Sequence, residues 1–251
     1  MATFKGKTVL VVGASSGVGA ALARRLATEG ANVHLAARRR DRLEEQVQAI
    51  RTAGGSATGH ACDIASGDQV AALFGELERG GVALDAMVST AAVVSFERFA
   101  VQPEARWREM LAINLGGAIA VTQHALRQML PRERGHIVHI TSVAGTLAIP
   151  GLAIYSTSKA GLSHFLDAMR GEYGKSGVRF TEIEIGNTAG TDAGRDTVLT
   201  EYFATMVQRW TGAPAMLEVD EVVDAVIYAM STPERARIDH IVLRELAEIP
   251  T

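Results

Sequence analysis

Tyr155 and Lys159 stand four residues apart in Tyr155-Ser156-Thr157-Ser158-Lys159, a spacing that puts both side chains on one face of a helix. A phenol ordinarily releases its proton near pH ~10, too reluctantly for acid–base work at neutrality. An ammonium one turn away favours the phenolate and lowers that value. Tyr155 is therefore positioned to give a proton to a carbonyl being reduced, or to take one from an alcohol being oxidised. With so few Tyr and Lys in the chain, chance expects only about 0.06 such pairs, so an accidental pairing explains the spacing poorly. Ser142 ends the apolar run Ile137-Val138-His139-Ile140-Thr141. A hydroxyl there can hydrogen-bond a substrate oxygen as charge develops on it; a turn serine ahead of Gly145 is the plainer reading.

A second group of residues is suited to holding phosphates. Gly13-Ala14-Ser15-Ser16-Gly17-Val18-Gly19 follows the apolar run Thr8-Val9-Leu10-Val11-Val12 and opens a segment of helical period. Glycines there let the backbone turn sharply against a pyrophosphate, and the helix start offers free N–H groups and a positive dipole end. Gly13, Ser15, Ser16, Gly17, Val18 and Gly19 are the expected contacts. At the end of the next apolar run, Val33-His34-Leu35-Ala36-Ala37-Arg38-Arg39, no carboxylate stands where an NAD enzyme needs one for the ribose hydroxyls. A guanidinium can instead grip a 2′-phosphate bidentately. Arg38 is the expected ligand and Arg39 the second candidate, so NADP(H) is favoured over NAD(H).

The elements that must carry these residues alternate. Apolar runs at Thr8–Val12, Asn32–Ala37, Ser56–Cys62, Leu84–Ser89, Gly135–Thr141, Val178–Ile185 and His240–Leu243 predict strands. Segments of helical period near Gly17–Glu29, Arg40–Ala53, Ser66–Arg79, Pro103–Leu130, Leu152–Gly174 and Val219–Ser231 predict the helices between them. Near-continuous apolar strands alternating with helices make an α/β fold, a doubly wound parallel sheet of Rossmann type with helices on both faces. No linker divides the chain, so residues 1–251 read as one domain. The least regular stretch, 186–214, reads as a substrate lid; it carries Phe203, Met206 and Trp210, which suit an apolar or bulky substrate, though core packing or subunit contact explains them equally well.

The glycine spacing and the segment from Ser142 through Tyr155 to Lys159 resemble the short-chain dehydrogenase/reductase family, from about Lys5 to Leu243. The resemblance implies a catalytic set of Asn114, Ser142, Tyr155 and Lys159, and an NAD(P)-dependent reaction between a carbonyl and a secondary alcohol. Lys159 would also reach the nicotinamide ribose, and the charge of the oxidised nicotinamide would further favour the phenolate. Asn114 would kink its helix and hold a water linking Lys159 to solvent. Asp63 and the Ile64 backbone would hold the adenine, although Asp63 reads equally well as a helix N-cap. Ala91 and Gly186 would border the cofactor, and the long helices would pair in a homodimer or homotetramer. Three departures surround that cofactor site: Val12 in place of Thr, Ser89-Thr90-Ala91-Ala92 in place of Asn-Asn-Ala-Gly, and Ile185-Gly186 in place of Pro-Gly. The hydroxyl that ties the first loop to the segment after strand four is missing at Val12, and packing is expected to replace it. The altered Asn-Asn-Ala-Gly and Pro-Gly positions are the only support for an alternative, a non-catalytic nucleotide sensor or scaffold of the same fold. An epimerase or dehydratase using the same pair usually needs a larger C-terminal substrate domain than this chain has left after Ile185.

Composition narrows the partners. A formal net charge of −3 and a sequence pI near 6.2 offer no basic excess for nucleic acid or an anionic membrane surface. Cys62 is the single cysteine, which excludes an internal disulfide and a cysteine-held metal. His136 and His139, three apart on a strand, point to opposite faces, and no metal is expected. The N-terminal residues lead directly into a strand, and no apolar run reaches spanning length. The chain reads as a cytoplasmic enzyme of small molecules.

Overall fold

β1 (Thr8–Val12) is apolar on both sides, as a strand covered on both faces must be. It lies parallel to β2 (Asn32–Ala37) on one side and β4 (Ala86–Ser89) on the other. With β3 (Ser56–Ala61), β5 (Gly135–Ser142), β6 (Val178–Ile185) and β7 (His240–Leu243), these form one seven-stranded sheet of order β3-β2-β1-β4-β5-β6-β7. Every adjacent pair is parallel. The computed structural model describes residues 4–192 and 216–246.

Helices cover both faces. On one, α1 (Gly17–Thr28), α2 (Arg40–Thr52) and α7 (Val219–Met230) pack Leu22, Leu26, Leu43, Ile50, Val222 and Val226 against Val9, Val11, Val138 and Ile183. On the other, α3 (Gly67–Arg79), α5 (Ala118–Met129) and α6 (Ala153–Tyr173) pack Leu73, Phe74, Val121, Leu162 and Leu166 against Leu10, Met87, Ile137 and Phe180. Strand order reverses between β1 and β4. Chains leaving those two strands turn to opposite faces and leave a crevice at their carboxyl ends, where ligands bind in open sheets of this kind.

The expected strands and helices form within a few residues of their predicted limits, with one exception. The segment Pro103–Leu130, expected as a helix kinked at Asn114, is interrupted there. α4 (Glu104–Leu111) passes through a π-helical turn at Ala112–Gly117 into α5. Two contacts force the change. The Asn114 amide accepts from the Val93 amide N–H and donates to the Val93 carbonyl, both at 2.8 Å. Gly117 lies so close to Ile64 that a Cβ would come within 2.7 Å of its Cγ1. A wider turn accommodates both, as inserted side-chain bonds commonly do in π-bulges.

Candidate active site

The crevice widens into a cavity of about 710 Å³. Gly13, Ser15, Ser16, Gly17, Val18 and Gly19 form one wall. Arg38 and Arg39 come from the end of β2, Asp63 and Ile64 from beyond β3, Ala91 from beyond β4 and Gly186 from beyond β6. Ser142, Tyr155 and Lys159 also open onto it. The sequence-predicted residues thus converge, except Asn114, which is buried to one side. Its amide clamps the Val93 backbone and donates to Ser158 Oγ at 3.2 Å, bracing the helix that carries Tyr155 and Lys159.

The glycine turn fits a dinucleotide. Gly13 and Gly17 have φ of 89° and 54°, the left-handed region that side chains disfavour. A Cβ on Gly13 would lie 2.6 Å from the Ala91 nitrogen, and one on Gly19 would strike the Gly13 carbonyl and come within 2.5 Å of Thr90 Oγ1. The N-cap of α1, Ser16, makes no side-chain cap bond, so no such bond takes up the first N–H groups of α1. Those groups face the cavity as an anion site. Gly19→Ala is expected to weaken cofactor binding at least about tenfold in a fluorescence titration. An unchanged affinity would show that the turn re-forms around the methyl group.

The tie expected to be lost at Val12 is present, made from the other side. Thr90 Oγ1 donates to the Val12 carbonyl at 3.0 Å, and the Gly13 carbonyl lies 3.4 Å away. The Thr90 amide also donates to the Val12 carbonyl, at 2.8 Å. A hydroxyl after β4 substitutes for the one absent at the end of β1, which corrects the expectation that packing replaces the bond.

Around the far end of the glycine turn the two arginines separate. Arg38 Nη1 lies 3.3 Å from Glu109 Oε1. Arg39 folds over the turn instead, donating from Nη2 to Ser15 Oγ at 3.0 Å and Ser16 Oγ at 2.9 Å. Asp63 is not a helix N-cap: Ser66 caps α3 by accepting from the Gln69 amide. Asp63 Oδ1 accepts from the Ala65 amide at 3.0 Å in a local turn.

At the other end, Tyr155 packs against Phe96, Ala144 and Leu152. Burial pushes its phenol above the ordinary value, and a hydrogen bond with Ser142 opposes that. The ammonium of Lys159 lies 5.8 Å from the Tyr155 ring centroid and donates to the Ile140 carbonyl at 3.0 Å. Burial brings Lys159 itself down to about 8, against the opposing charge of Glu182.

Glu182 was not anticipated. It accepts from Thr141 Oγ1 at 2.7 Å and pairs with Ser163 Oγ at 2.5 Å, on the sheet face that carries α6. Glu184 lies on the same face, 3.1 Å from His240 Nε2. Carboxylates at alternate positions in Thr181-Glu182-Ile183-Glu184-Ile185 were the available signal, since charges on a central strand face are rare unless partnered. Glu182, Glu184 and His240 are close enough to share a cation. Arg170 and Arg244, each 3.8 Å from one of the carboxylates, balance the negative charge instead. Phe203, Met206 and Trp210, with most of the expected lid, lie outside the described residues.

The glycine turn and the Tyr155–Lys159 pair thus open onto one cavity at the switch point of a parallel sheet. The short chain dehydrogenase family model matches residues 7–201, and the chain belongs to that family: it is an NAD(P)-dependent oxidoreductase acting on CH–OH and C=O groups. It is 33% identical over 241 residues to the glycine betaine reductase ATRR of Emericella nidulans, covering 95% of this chain but only 18% of that protein. It is 34% identical over 197 residues to the ketoacyl reductase HetN of Nostoc sp., covering 78% of this chain and 69% of the relative. Among solved structures, a metagenomic short-chain oxidoreductase in complex with NADP superposes with a TM-score of 0.81 at 28% identity, covering 97% and 98% of the two chains. An actinorhodin polyketide ketoreductase with NADPH gives 0.83 at 27%, covering 95% and 96%. Among the described residues no helix is long and apolar enough to cross a membrane.

Proposed function

We propose that this chain is an NADP(H)-dependent carbonyl reductase and secondary-alcohol dehydrogenase in which Tyr155 is the general acid and base. One observation carries the reading: the Tyr155, Ser142 and Lys159 group, the glycine turn and Arg39 open onto a single cavity. Nicotinamide, when bound, supplies or accepts the hydride. The residues of the chain manage the proton. A partly buried phenol held above its ordinary value keeps its proton at neutral pH, which suits donation to a carbonyl oxygen, because a forming alkoxide is far more basic than a phenolate. Ser142 Oγ accepts from the Ala144 amide at 3.2 Å, which orients its hydroxyl for the same substrate oxygen. Lys159 contributes a positive charge behind the phenol. Asn114 braces the helix, and the water relay to Lys159 that the family implies is carried over with it.

Arg39 is assigned as the principal 2′-phosphate ligand and Arg38 as the second. Arg39 already spans the serine hydroxyls of the glycine turn, whereas Arg38 is engaged by Glu109. Ala37 supplies no carboxylate to repel a 2′-phosphate, and the solved relatives carrying NADP or NADPH support the same choice. Asp63 and Ile64 would flank the adenine, with Ala91 and Gly186 beside the rest of the cofactor. Beyond Tyr155 the cavity is lined by Val94, Phe96, Ile149, Leu152 and Met216, which suits an uncharged, apolar carbonyl compound. Residues 186–214 would close over it. A homodimer or homotetramer is supported by the outer edge of β7, which pairs with no strand among the described residues, and by the exposed Tyr228 and Val242.

Fluorescence titration with NADPH and NADH tests the reading. NADPH is expected to bind at least about tenfold more tightly, and Arg39→Ala to remove most of that difference. Equal binding of both in the unaltered protein would refute the cofactor assignment. Binding of neither would remove the cofactor-dependent reaction itself.

A further inference from the structure

The segment after β6 leaves the nicotinamide end of the cavity at Gly186 and Asn187 and returns along the glycine turn toward its opposite end. Thr191 lies over Gly17, with its Cα and Cγ2 each 3.5 Å from where a Gly17 Cβ would stand. Asp192 follows, and its Oδ2 lies 2.8 Å from Arg39 Nη1. Arg42 Nη1 is 4.0 Å from the same oxygen. Arg39 is thus held on two sides, by Asp192 through Nη1 and by Ser15 and Ser16 through Nη2.

We infer that Asp192 is a specificity-determining residue: its carboxylate holds the guanidinium that the 2′-phosphate of NADP(H) needs, so that binding NADP(H) rather than NAD(H) requires Asp192 to let go. The inference rests on the assignment of Arg39 to the 2′-phosphate. A guanidinium offers five N–H donors in a fixed fork. Two donations serve the serines and the aspartate pairs with the guanidinium charge, so bidentate capture of a phosphate must displace partners. Of these, Asp192 carries the charge. A carboxylate beside a phosphate near its second ionisation is repelled strongly in a partly closed cavity, whereas the serine hydroxyls can turn and donate to the same phosphate. Arg42 gives the displaced carboxylate a nearby cation, so its release is not an uncompensated loss. The consequence is a link along the chain. The same short segment borders the nicotinamide end at Gly186 and Asn187 and is anchored at the adenosine end by Asp192. A 2′-phosphate that frees Asp192 therefore unfastens residues 186–192, and a cofactor without that phosphate leaves them fastened.

Asp192→Asn keeps the shape of the side chain and removes its charge. In fluorescence titrations the variant is expected to bind NADPH about five- to tenfold more tightly than the unaltered protein, with NADH changing less than twofold. Adenosine 2′,5′-bisphosphate and adenosine 5′-monophosphate, which lack the nicotinamide, are expected to repeat the contrast by calorimetry. In an Arg39→Ala background the substitution is expected to have no effect on either ligand. An NADPH affinity within twofold of the unaltered protein overturns the inference. A weaker one also overturns it, and shows that Asp192 orients Arg39 for the phosphate. Failure of the cofactor assignment is seen separately, in the unaltered protein, as NADH binding at least as tightly as NADPH. In that case the role of Asp192 stands only if Asp192→Asn still shifts the ratio toward NADPH, and falls with the assignment if it does not.

Discussion

Tyr155→Phe is expected to reduce turnover of a carbonyl substrate by about 10²–10⁴-fold, the range that a positioned acid or base contributes, while NADPH affinity stays within about threefold. The substitution is a clean one because the ring has a packing role of its own. Tyr155 lies against Phe96, Ala144 and Leu152, and phenylalanine retains those contacts. What is lost is the hydroxyl and its hydrogen bond with Ser142. Thermal stability should therefore change little, so a fall in rate reports the proton and not the fold. The pH dependence of the unaltered enzyme provides a second check. Lys159, brought down to about 8 by burial, is an ammonium below that value and neutral above it, so its charge behind Tyr155 fades as pH rises through about 8. The reduction rate is expected to decline on the alkaline side from there, and the residual rate of the Phe variant to lack that limb. Steady-state kinetics at a series of pH values measure both, and full activity in the variant would remove Tyr155 from the mechanism.

What the sequence disclosed about this site and what it concealed differ in range. Strands were legible because Val9, Leu10, Val11 and their counterparts must be apolar on both faces of a parallel sheet. The Tyr155–Lys159 pair and the glycine turn were legible because their chemistry depends on spacings of a few residues along one element. That Asn114 disturbs its helix followed from the family resemblance, but the π-helical form of the turn at Ala112–Gly117 did not, since its partner Val93 lies 21 residues from Asn114 in the chain. The Thr90 bond to Val12 spans 78 residues; the sequence showed that a hydroxyl was missing at one end but not that another had arrived at the other. Arg38 and Arg39 are adjacent and chemically alike, and only the backbone of the turn decides which of them faces Ser15 and Ser16. Asp192 belongs to the same class: a carboxylate in an irregular segment has no periodicity to reveal that it meets Arg39.

His136 and His139 point to a large effect of acid on stability. They occupy opposite faces of β5, as the three-residue spacing required, and each meets a threonine. Thr181 donates to the Ile238 carbonyl at 2.6 Å and Thr122 to the Ala118 carbonyl at 2.7 Å. Neither hydroxyl has a second proton to give, so each histidine must donate from Nε2, to Thr181 at 2.8 Å and to Thr122 at 2.7 Å. That fixes both rings in the tautomer with a bare Nδ1, and each Nδ1 is buried without a hydrogen-bond partner among the described residues. Protonation would create a buried N–H with no acceptor, beside Arg179 in one case and Lys159 in the other. Burial first, and those cations second, hold both imidazoles down to about 3. Between that value and the unfolded value of about 6.5 the unfolded chain binds more protons, so stability falls as pH drops through this window. The slope approaches roughly 1.4 kcal/mol per pH unit for each histidine well below pH ~6.5. Urea unfolding between pH 7.5 and 5 is expected to show the midpoint falling steadily. His136→Gln and His139→Gln, whose side-chain amides can still donate to the threonines, are each expected to remove about half of the histidine part of that slope. A midpoint that stays level to pH 5 would mean that the buried rings accept protons without penalty, and that the acceptors absent from Nδ1 are supplied by water.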